Sequence, residues 1–564
     1  MISRRTFIKG AAGMGVAAIA VPEILSAIGN KPKIPGIDPL SITPQPLRIP
    51  PVITGGDLNM APGSFAVFPN AMTNLLMVNN EFPAPTIKLK FGDTFAATIH
   101  NNLTVDSVLH WHGVTAPAAM GGHPANVVPA GSSYAVNFPI VQRSCMSFYH
   151  AHPHMATGQQ VYMGLAGFFL IEDDDELAMG LPSGDYDIPL MIQDKRVDAN
   201  SQLIYALTQA DMQSGWLGDT IMVNGTPNPY LTVAPTLYRF RIVNASNARF
   251  YKLALTDGTA FTVIGNDGGF LTSPQKLTSV NLAPAERLDI LIDFSSYSQG
   301  QTVTLESLAF TMSDPPGSGT VPQGAQMNLL KFQINLTGTS GGNIPTSLPT
   351  IVQYNVADIK TTRVWTFSAM RYINNLAYDV NRIDAQVPFG ELEKWTFNSV
   401  GNTHPVHIHG AQFQVIDRNG SPPDLWEQGW KDVIRLDPQG TVNVLVQFTA
   451  YPGLFLIHCH KLEHADEGMM SNFTIDAQSS SVQQSNSSIQ IAPNPASDHA
   501  VIYFPLLTGE ETLTISDERG GLLFSQAMPA GADLLAVSTT PFSDGRYMVE
   551  IGALRAALVI LKEQ

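Results

Sequence analysis

Apolar and polar positions along this chain fall into short runs broken by turn residues, the pattern of many brief β-strands. Three runs echo one another: residues 95–101 (FAATIHN), 239–244 (RFRIVN) and 394–398 (KWTFN) each read as a strand ending in Asn, about one domain length apart. A second echo relates residues 150–152 (HAH) and 164–171 (GLAGFFLI) to residues 458–460 (HCH) and 468–475 (GMMSNFTI). Together they predict three related β-sandwiches. Histidine clusters follow the first and third copies of the strand, and none follows the second. Within the second unit, residues 288–294 (LDILIDF) read as a sandwich strand, which leaves that unit a spacing and walling role. Residues 313–326, rich in Gly, Pro and Ser, read as a solvated surface loop.

The two ends depart from this pattern. Residues 478–488 form a Ser/Gln run with the composition of a flexible linker. Beyond it, strands at 501–504, 512–515 and 547–551, separated by turn signals at 517–521 and 544–545, predict a small C-terminal β-sandwich. At the other end, Arg4 and Arg5 precede Phe7 and a small apolar stretch at 10–21 that is too short to span a bilayer.

Composition agrees with a β protein. There are 46 Gly and 40 Pro in 564 residues and only 14% charged residues, which suits short strands joined by turns and leaves room for three or four cores. A formal net charge of −16 argues against nucleic-acid partners. Two cysteines exclude a disulfide framework, and with Cys459 committed to the chemistry below, Cys145 is expected to be a buried free thiol.

The chemistry lies in the histidines. Ten of the fourteen fall in four short clusters, and the last places a cysteine between two of them: His458, Cys459, His460, then His464 and Met469. On a strand, successive side chains point to opposite faces, so Cys459 faces one way and His458 and His460 the other. One tripeptide then feeds two metal centres. A soft thiolate with two imidazoles and a weak axial thioether suits a type 1 blue copper, and Cys459, His464 and Met469 supply three of those four ligands. The second imidazole is available in residues 404–410 (HPVHIHG), where His404 stands apart from a His-x-His pair. Four such pairs, His110 with His112, His150 with His152, His407 with His409 and His458 with His460, each present both rings on one face. Eight imidazoles suit three coppers with positions left open for oxygen. A structural zinc site needs only four ligands and does not account for ten phased histidines. His100, His123, His154 and His499 fall outside the scheme, although His154 extends the second cluster.

The motifs H-W-H-G, H-A-H, H-P-V-H-I-H-G and H-C-H-x3-H-x3-G-M occur in the order and spacing of the three-domain multicopper oxidases. From about residue 45 to 478 the chain resembles that family of laccases, bilirubin oxidases and bacterial copper-efflux oxidases. The resemblance implies an all-β fold of three cupredoxin-like Greek-key β-sandwiches, over residues 45–190, 191–345 and 346–477, with the small C-terminal β-sandwich at 489–564. It implies four copper ions. His404, Cys459, His464 and axial Met469 would hold type 1; His110 and His407 type 2; His112, His150, His152, His409, His458 and His460 the type 3 pair. A small reducing donor, phenol-like or Cu(I), would give electrons singly at type 1, and Cys459 would pass them through His458 and His460 to the trinuclear cluster, where dioxygen becomes two waters. The N-terminal 1–30 resembles a twin-arginine export signal, implying the twin-arginine translocation machinery and a periplasmic destination, with a basic Sec signal as the alternative. Residues 492–496 (APNPA) and 544–547 (DGRY) make the tail resemble a type IX secretion sorting domain, implying that machinery and a final place at the cell surface or outside the cell. An accessory binding sandwich is the other reading of the tail.

Two departures from the bacterial members matter. Ala465 follows the type 1 histidine where similar relatives carry Glu, and residues 117–122 (PAAMGG) lack the expected Asp. Glu463 and Asp466 are the nearby replacements as proton donors, or else solvated surface acids. No methionine cluster appears between residues 358 and 403, and the loop 400–403 is short and lacks an acid, which favours a laccase-like enzyme for phenolic donors over a cuprous oxidase or a bilirubin-type oxidase. An axial Met469 places the type 1 potential toward the lower end and favours easily oxidised donors. A copper-binding or electron-transfer protein without catalysis is the reading from another class; uptake of oxygen with a phenol separates it from the enzyme.

Overall fold

The computed structural model describes residues 42–476 and, towards the C-terminus, 489–492, 499–504, 507, 509–517, 519–528, 534–539 and 541–560; the expected export signal at 1–30 and the linker at 478–488 lie outside the described residues. The described chain is all-β with a few short helices. Strand formation follows the alternation in the sequence. Thr94–Asn101 buries every second residue through most of its length because one face meets a core and the other meets solvent. Leu237–Asn244 is buried at every position. It runs inside a seven-stranded sheet, and its two guanidiniums, Arg239 and Arg241, are neutralised by Glu176, Asp187 and Asp289.

Among the described residues the four largest apolar cores are built mainly from residues 58–171, 188–334, 365–475 and 489–560. The first also takes in Met191, Val243, Ala245, Ala285, Val433 and Leu462, so the first three are packed together rather than strung out. In the first core, a sheet of Val52–Ile53, Ala84–Lys90, Ala166–Glu172, Cys145–Ala151 and Leu109–His112 is matched by one of Ala71–Val78, Gly56–Phe68, Thr94–Asn101 and Ser133–Pro139. In the third, Ala385–Pro388, Met470–Asp476, Gly453–Cys459, His404–Ile408 and Val433–Leu436 form the corresponding five-stranded sheet.

The sequence echoes are the same hairpin used twice. Cys145–Ala151 pairs antiparallel with Ala166–Glu172 on one side and Leu109–His112 on the other. Gly453–Cys459 pairs in the same way with Met470–Asp476 and His404–Ile408. The repeated Asn also has a physical reason. Asn101 Oδ1 accepts from Leu103 N and Asn244 Oδ1 from Ser246 N, a local turn that ends the strand, while each side-chain amide donates to two main-chain carbonyls across the loop. Asn398 instead accepts from Thr441 Oγ1.

Asn244→Ala leaves the carbonyls of Arg249 and Leu282 without this donor in a buried setting. The expected loss is on the order of 2–3 kcal/mol. It should be read by calorimetry as a lower unfolding midpoint, and an unchanged midpoint contradicts the role assigned to the repeat.

Candidate metal centres

The paired strands deliver the histidines to one place. His110 sits opposite His150, and His407 opposite His458, while His152, His409 and His460 lie just past their strand ends. Within each His-x-His pair both rings turn the same way, with centroids 5.7 Å (110/112), 5.6 Å (150/152), 4.9 Å (407/409) and 5.5 Å (458/460) apart. The two halves then interleave: His110 stacks on His409 at 3.8 Å and His112 on His407 at 3.7 Å. None of the eight is more than 4% exposed.

Hydrogen bonds aim the free nitrogens inward. The Nδ1–H of His110, His150, His407 and His458 donates to the carbonyls of Gly121, Ala151, Asp432 and Cys459 respectively, which leaves each Nε2 lone pair for the interior. His112 is turned the other way, donating Nε2–H to Asp432 Oδ1 at 3.2 Å and leaving Nδ1 free. Nε2 atoms approach one another at 3.2 Å (409/458), 3.4 Å (152/458) and 3.5 Å (110/407). Burial, reinforced in most of them by neighbouring imidazoles, holds all eight pKa values below the usual range, with His150 near 4 and His458 near 3. They are neutral at pH 7, the form in which an imidazole can bind a metal ion. His112 Nδ1, His150 Nε2, His152 Nδ1 and both His460 nitrogens are buried with no hydrogen-bond partner among the described residues. Orphaned lone pairs at that density fit metal ions and little else. Donor groups that can each share one ion are His110/His112/His150, His110/His407/His409 and His152/His409/His458.

A separate group lies on the other face of Gly453–Cys459. Cys459 Sγ is 3.4 Å from His404 Nδ1 and 3.7 Å from His464 Nδ1, and those two nitrogens are 3.4 Å apart. Such spacings suit donors sharing an ion at roughly 2.0–2.3 Å from each. Met469 is fully buried in the same core, its N bonded to the His464 carbonyl and its carbonyl to Cys459 N. Burial pushes the Cys459 thiol up to about 12, so a cation must displace its proton. Cys145 is also free and buried, beside Gln142 and Ser147.

Several residues at these centres were not evident as sequence motifs. Asp432 touches His112 through its carboxylate and His407 through its carbonyl. Arg287, heading a strand of the ligand-free middle core, clamps that carboxylate through both terminal nitrogens, one at 2.6 Å, while its N–H donates to Asp267. Lys431 Nζ closes the chain on Asp267 at 2.9 Å. The middle unit therefore does more than space and wall the others. The glycine of H-W-H-G belongs to this clamp: with φ +77°, a Cβ on Gly113 would lie 2.5 Å from Arg287 Nη2 and 2.7 Å from Asp432 Oδ2. The available signal was a charged residue beside an apolar run, Asp432 before Val433 and Arg287 before Leu288.

Other expectations are corrected. Residues 313–326 are not a merely solvated loop: Asp314 accepts from Lys461 Nζ at 2.6 Å and from Thr403 N at 2.7 Å, and the carbonyls of Val321 and Pro322 accept from Arg249. Nor are the two acids solvated. Glu463 accepts from Tyr205, Trp216 N and Asn247, and Asp466, raised by burial to about 8, accepts from the N–H groups of Thr157 and Gly158. His123 lines a cleft with His110 and His409 but is bonded to Asn472 Oδ1 and Ala125 N. His154 packs on Tyr378, and His100 bonds Ser133 and Asp57.

Three family profiles, each described as multicopper oxidase, match residues 63–176, 188–305 and 343–479. The chain is 34% identical over 418 residues to the multicopper oxidase mco of Staphylococcus haemolyticus (strain JCSC1435), covering 73% of this chain and 86% of that one. It is 30% identical over 466 residues to a laccase of Bacillus subtilis (strain 168), covering 71% and 89%. Its fold superposes on the crystal structure of McoA multicopper oxidase from the hyperthermophile Aquifex aeolicus with a TM-score of 0.72 and 36% identity, over 77% of this chain and all of that one. The matched residues are those that carry every donor group described above, and the chain belongs to the multicopper oxidase family.

Proposed function

We propose that this oxidase holds four copper ions and couples one-electron oxidation of phenols or similar small donors to reduction of dioxygen to water. The observation that carries the reading is Cys459: its sulfur lies in one donor group and the imidazole of the preceding His458 in another. His404, Cys459, His464 and Met469 are assigned to type 1, His110 and His407 to type 2, and His112, His150, His152, His409, His458 and His460 to the type 3 pair. When bound, the ions supply the single-electron steps and the four-electron reduction.

The chain supplies the rest. Cys459 joins the two centres through adjacent peptide units, with His458 and His460 as the links. Asp432 orients His112 and His407, and Arg287 clamps the Asp432 carboxylate through both terminal nitrogens, opposing the upward push of burial on its pKa. Two clefts touching His110 and His409, one beside His123 and Phe455 and one beside Thr115 and Gln412, are suitable paths for dioxygen and water. Apolar packing from Phe367, Val406 and Ile457 keeps bulk water from the sulfur.

The reading extends to the ends. Residues 1–30 are assigned as a twin-arginine signal, 45–190, 191–345 and 346–477 as the three cupredoxin-like units, 478–488 as a linker and 489–564 as a sorting domain for type IX secretion, giving export to the periplasm and then the cell surface or beyond. Support comes from Arg4 and Arg5, from the fourth apolar core within 489–560, and from the position of every donor before residue 470.

Cys459→Ser should abolish the intense blue absorption of the copper-loaded protein and end oxygen uptake with a phenol, because the thiolate is the source of the charge-transfer band. A blue, active variant defeats the assignment. In the copper-free protein the sign of the pH dependence is set by the depressed histidines. Unfolded histidines take up protons below about pH 6.5, whereas buried ones such as His150 resist until about pH 4. The unfolded chain thus binds more protons in that window, and the unfolding midpoint should fall as pH is lowered through it; a flat profile contradicts the burial argument. Replacing Arg4 and Arg5 by Lys should trap active precursor inside the cell, and deleting 489–564 should leave active enzyme in the periplasm, as fractionation with an oxidase assay would show. A truncated protein that cannot load copper makes the tail structural instead.

A further inference from the structure

Of the two imidazoles beside Cys459, His464 has the short path outward, and a strap lies across it. His404 Nε2 is buried with no hydrogen-bond partner among the described residues, and its ring sits 5.9 Å from Phe367. His464 is equally unexposed, but its Nε2–H donates to the main-chain carbonyl of Gln213 at 3.0 Å. The same carbonyl accepts from Asn402 Nδ2 at 3.4 Å. Gln213 belongs to the helix Gln209–Ser214, where it and Met212 are partly exposed. One peptide layer from the middle unit therefore separates the type 1 ring from solvent.

The layer is tied down at several points. Thr208 caps the helix and Asp211 returns the bond, forming a capping box. The Asp211 carboxylate also accepts from Arg196 at 2.8 Å and from Ser318 through both N–H (3.0 Å) and Oγ (2.6 Å). Residues 314–318 in turn run back to the metal site, where Asp314 holds Lys461 and Thr403, the neighbours of His460 and His404. A Cβ on Gly317 would come within 2.6 Å of Ser214 Oγ, so the two segments lie in close contact. An ion pair between Asp314 and Lys461, with side chains 2% and 0% exposed, anchors the strap in a dry setting.

We propose that this strap is the specificity-determining element of the type 1 site, an inference that rests on the copper assignment above. A donor meets the outer face of the helix at Met212 and Gln213 and does not touch the edge of His464. With copper bound, one electron would leave the donor across the hydrogen bond between the Gln213 carbonyl and His464 Nε2–H, and the copper(II) that His464 and Cys459 would hold is the oxidant, reduced to copper(I). The donor becomes a one-electron-oxidised radical, and a phenol releases its hydroxyl proton to water, since Gln213 O and Asp211 are already engaged. Metal complexes and electron-rich aromatics with no substituents beside the reacting group, which react without edge contact, are favoured. Bulky phenols that must lie against the imidazole are disfavoured.

The test loosens the strap and leaves the donors alone. Asp211→Ala removes the capping box and the ties to Arg196 and Ser318, and Ser318→Ala removes the hydroxyl's bonds to Asp211 and from Arg196 while keeping the box. Each full-length protein is first loaded with copper. A wild-type protein that is not blue defeats the underlying assignment, whereas the strap is judged on blue enzyme. For Asp211→Ala, kcat/KM should rise about tenfold for 2,6-dimethoxyphenol and change less than about twofold for ferrocyanide. In the copper-free form, diethyl pyrocarbonate should modify His464 in the variant but not in the wild type, read by peptide mass spectrometry. Should Asp211→Ala fail to fold, Ser318→Ala carries the same readouts with a smaller change in the same direction. Labelling of wild-type His464 as rapid as that of surface-accessible His100 overturns the proposal, as does a variant whose His464 is labelled while its preference between the two donors stays unchanged.

Discussion

The structure turns on the alternation of side chains about Cys459. Because a strand sends neighbouring residues to opposite faces, the sulfur enters the third core while the flanking imidazoles enter the space between the first and third. Any shift of register by one residue would exchange the two sets. The pairing of Val406 with Cys459 and His407 with His458 fixes that register, and the matching pair His110 and His150 fixes it on the other side. The repeated hairpin is therefore the means by which two distant parts of the chain each contribute four imidazoles to a shared site.

Crowding eight neutral imidazoles into a dry space is unfavourable until something uses their lone pairs. Several nitrogens have no partner among the described residues, and the rings stack at less than 4 Å. Surrounding groups keep the arrangement in place. Main-chain carbonyls set four tautomers, and the Arg287 and Asp432 clamp turns His112 the other way. The middle unit, with no ligand of its own, thus acts on both centres: Arg287 supports the histidine cluster, and Gln213 and Asp314 cover the cysteine site.

What was legible in the sequence was local. The His-x-His pairs, the cysteine between two histidines and the strand repeats ending in Asn are short patterns whose period of two maps directly onto a strand face. The all-β fold follows from the same patterns. The supporting groups were not legible because their partners are far away in the chain: Arg287 meets Asp432 across 145 residues, and Gln213 meets His464 across 251. A single charge beside an apolar run does not say which partner it will find. The Gly, Pro and Ser content of residues 313–326 reported the absence of a regular element correctly, but composition carries no information on whether an irregular segment is tethered, and Asp314 tethers this one. Whether Glu463 and Asp466 were proton donors or solvated surface acids stayed open for a similar reason, since their partners Tyr205, Asn247 and Thr157 lie in other units.

The central proposal is that one tripeptide serves two distinct donor groups, which together would hold four copper ions. The most direct measurement is metal content per chain combined with electron paramagnetic resonance of the oxidised, copper-loaded protein. The account predicts four coppers, of which one gives a type 1 signal, one a type 2 signal, and two are silent because they are coupled. A single copper per chain, or four that all give independent signals, would contradict it.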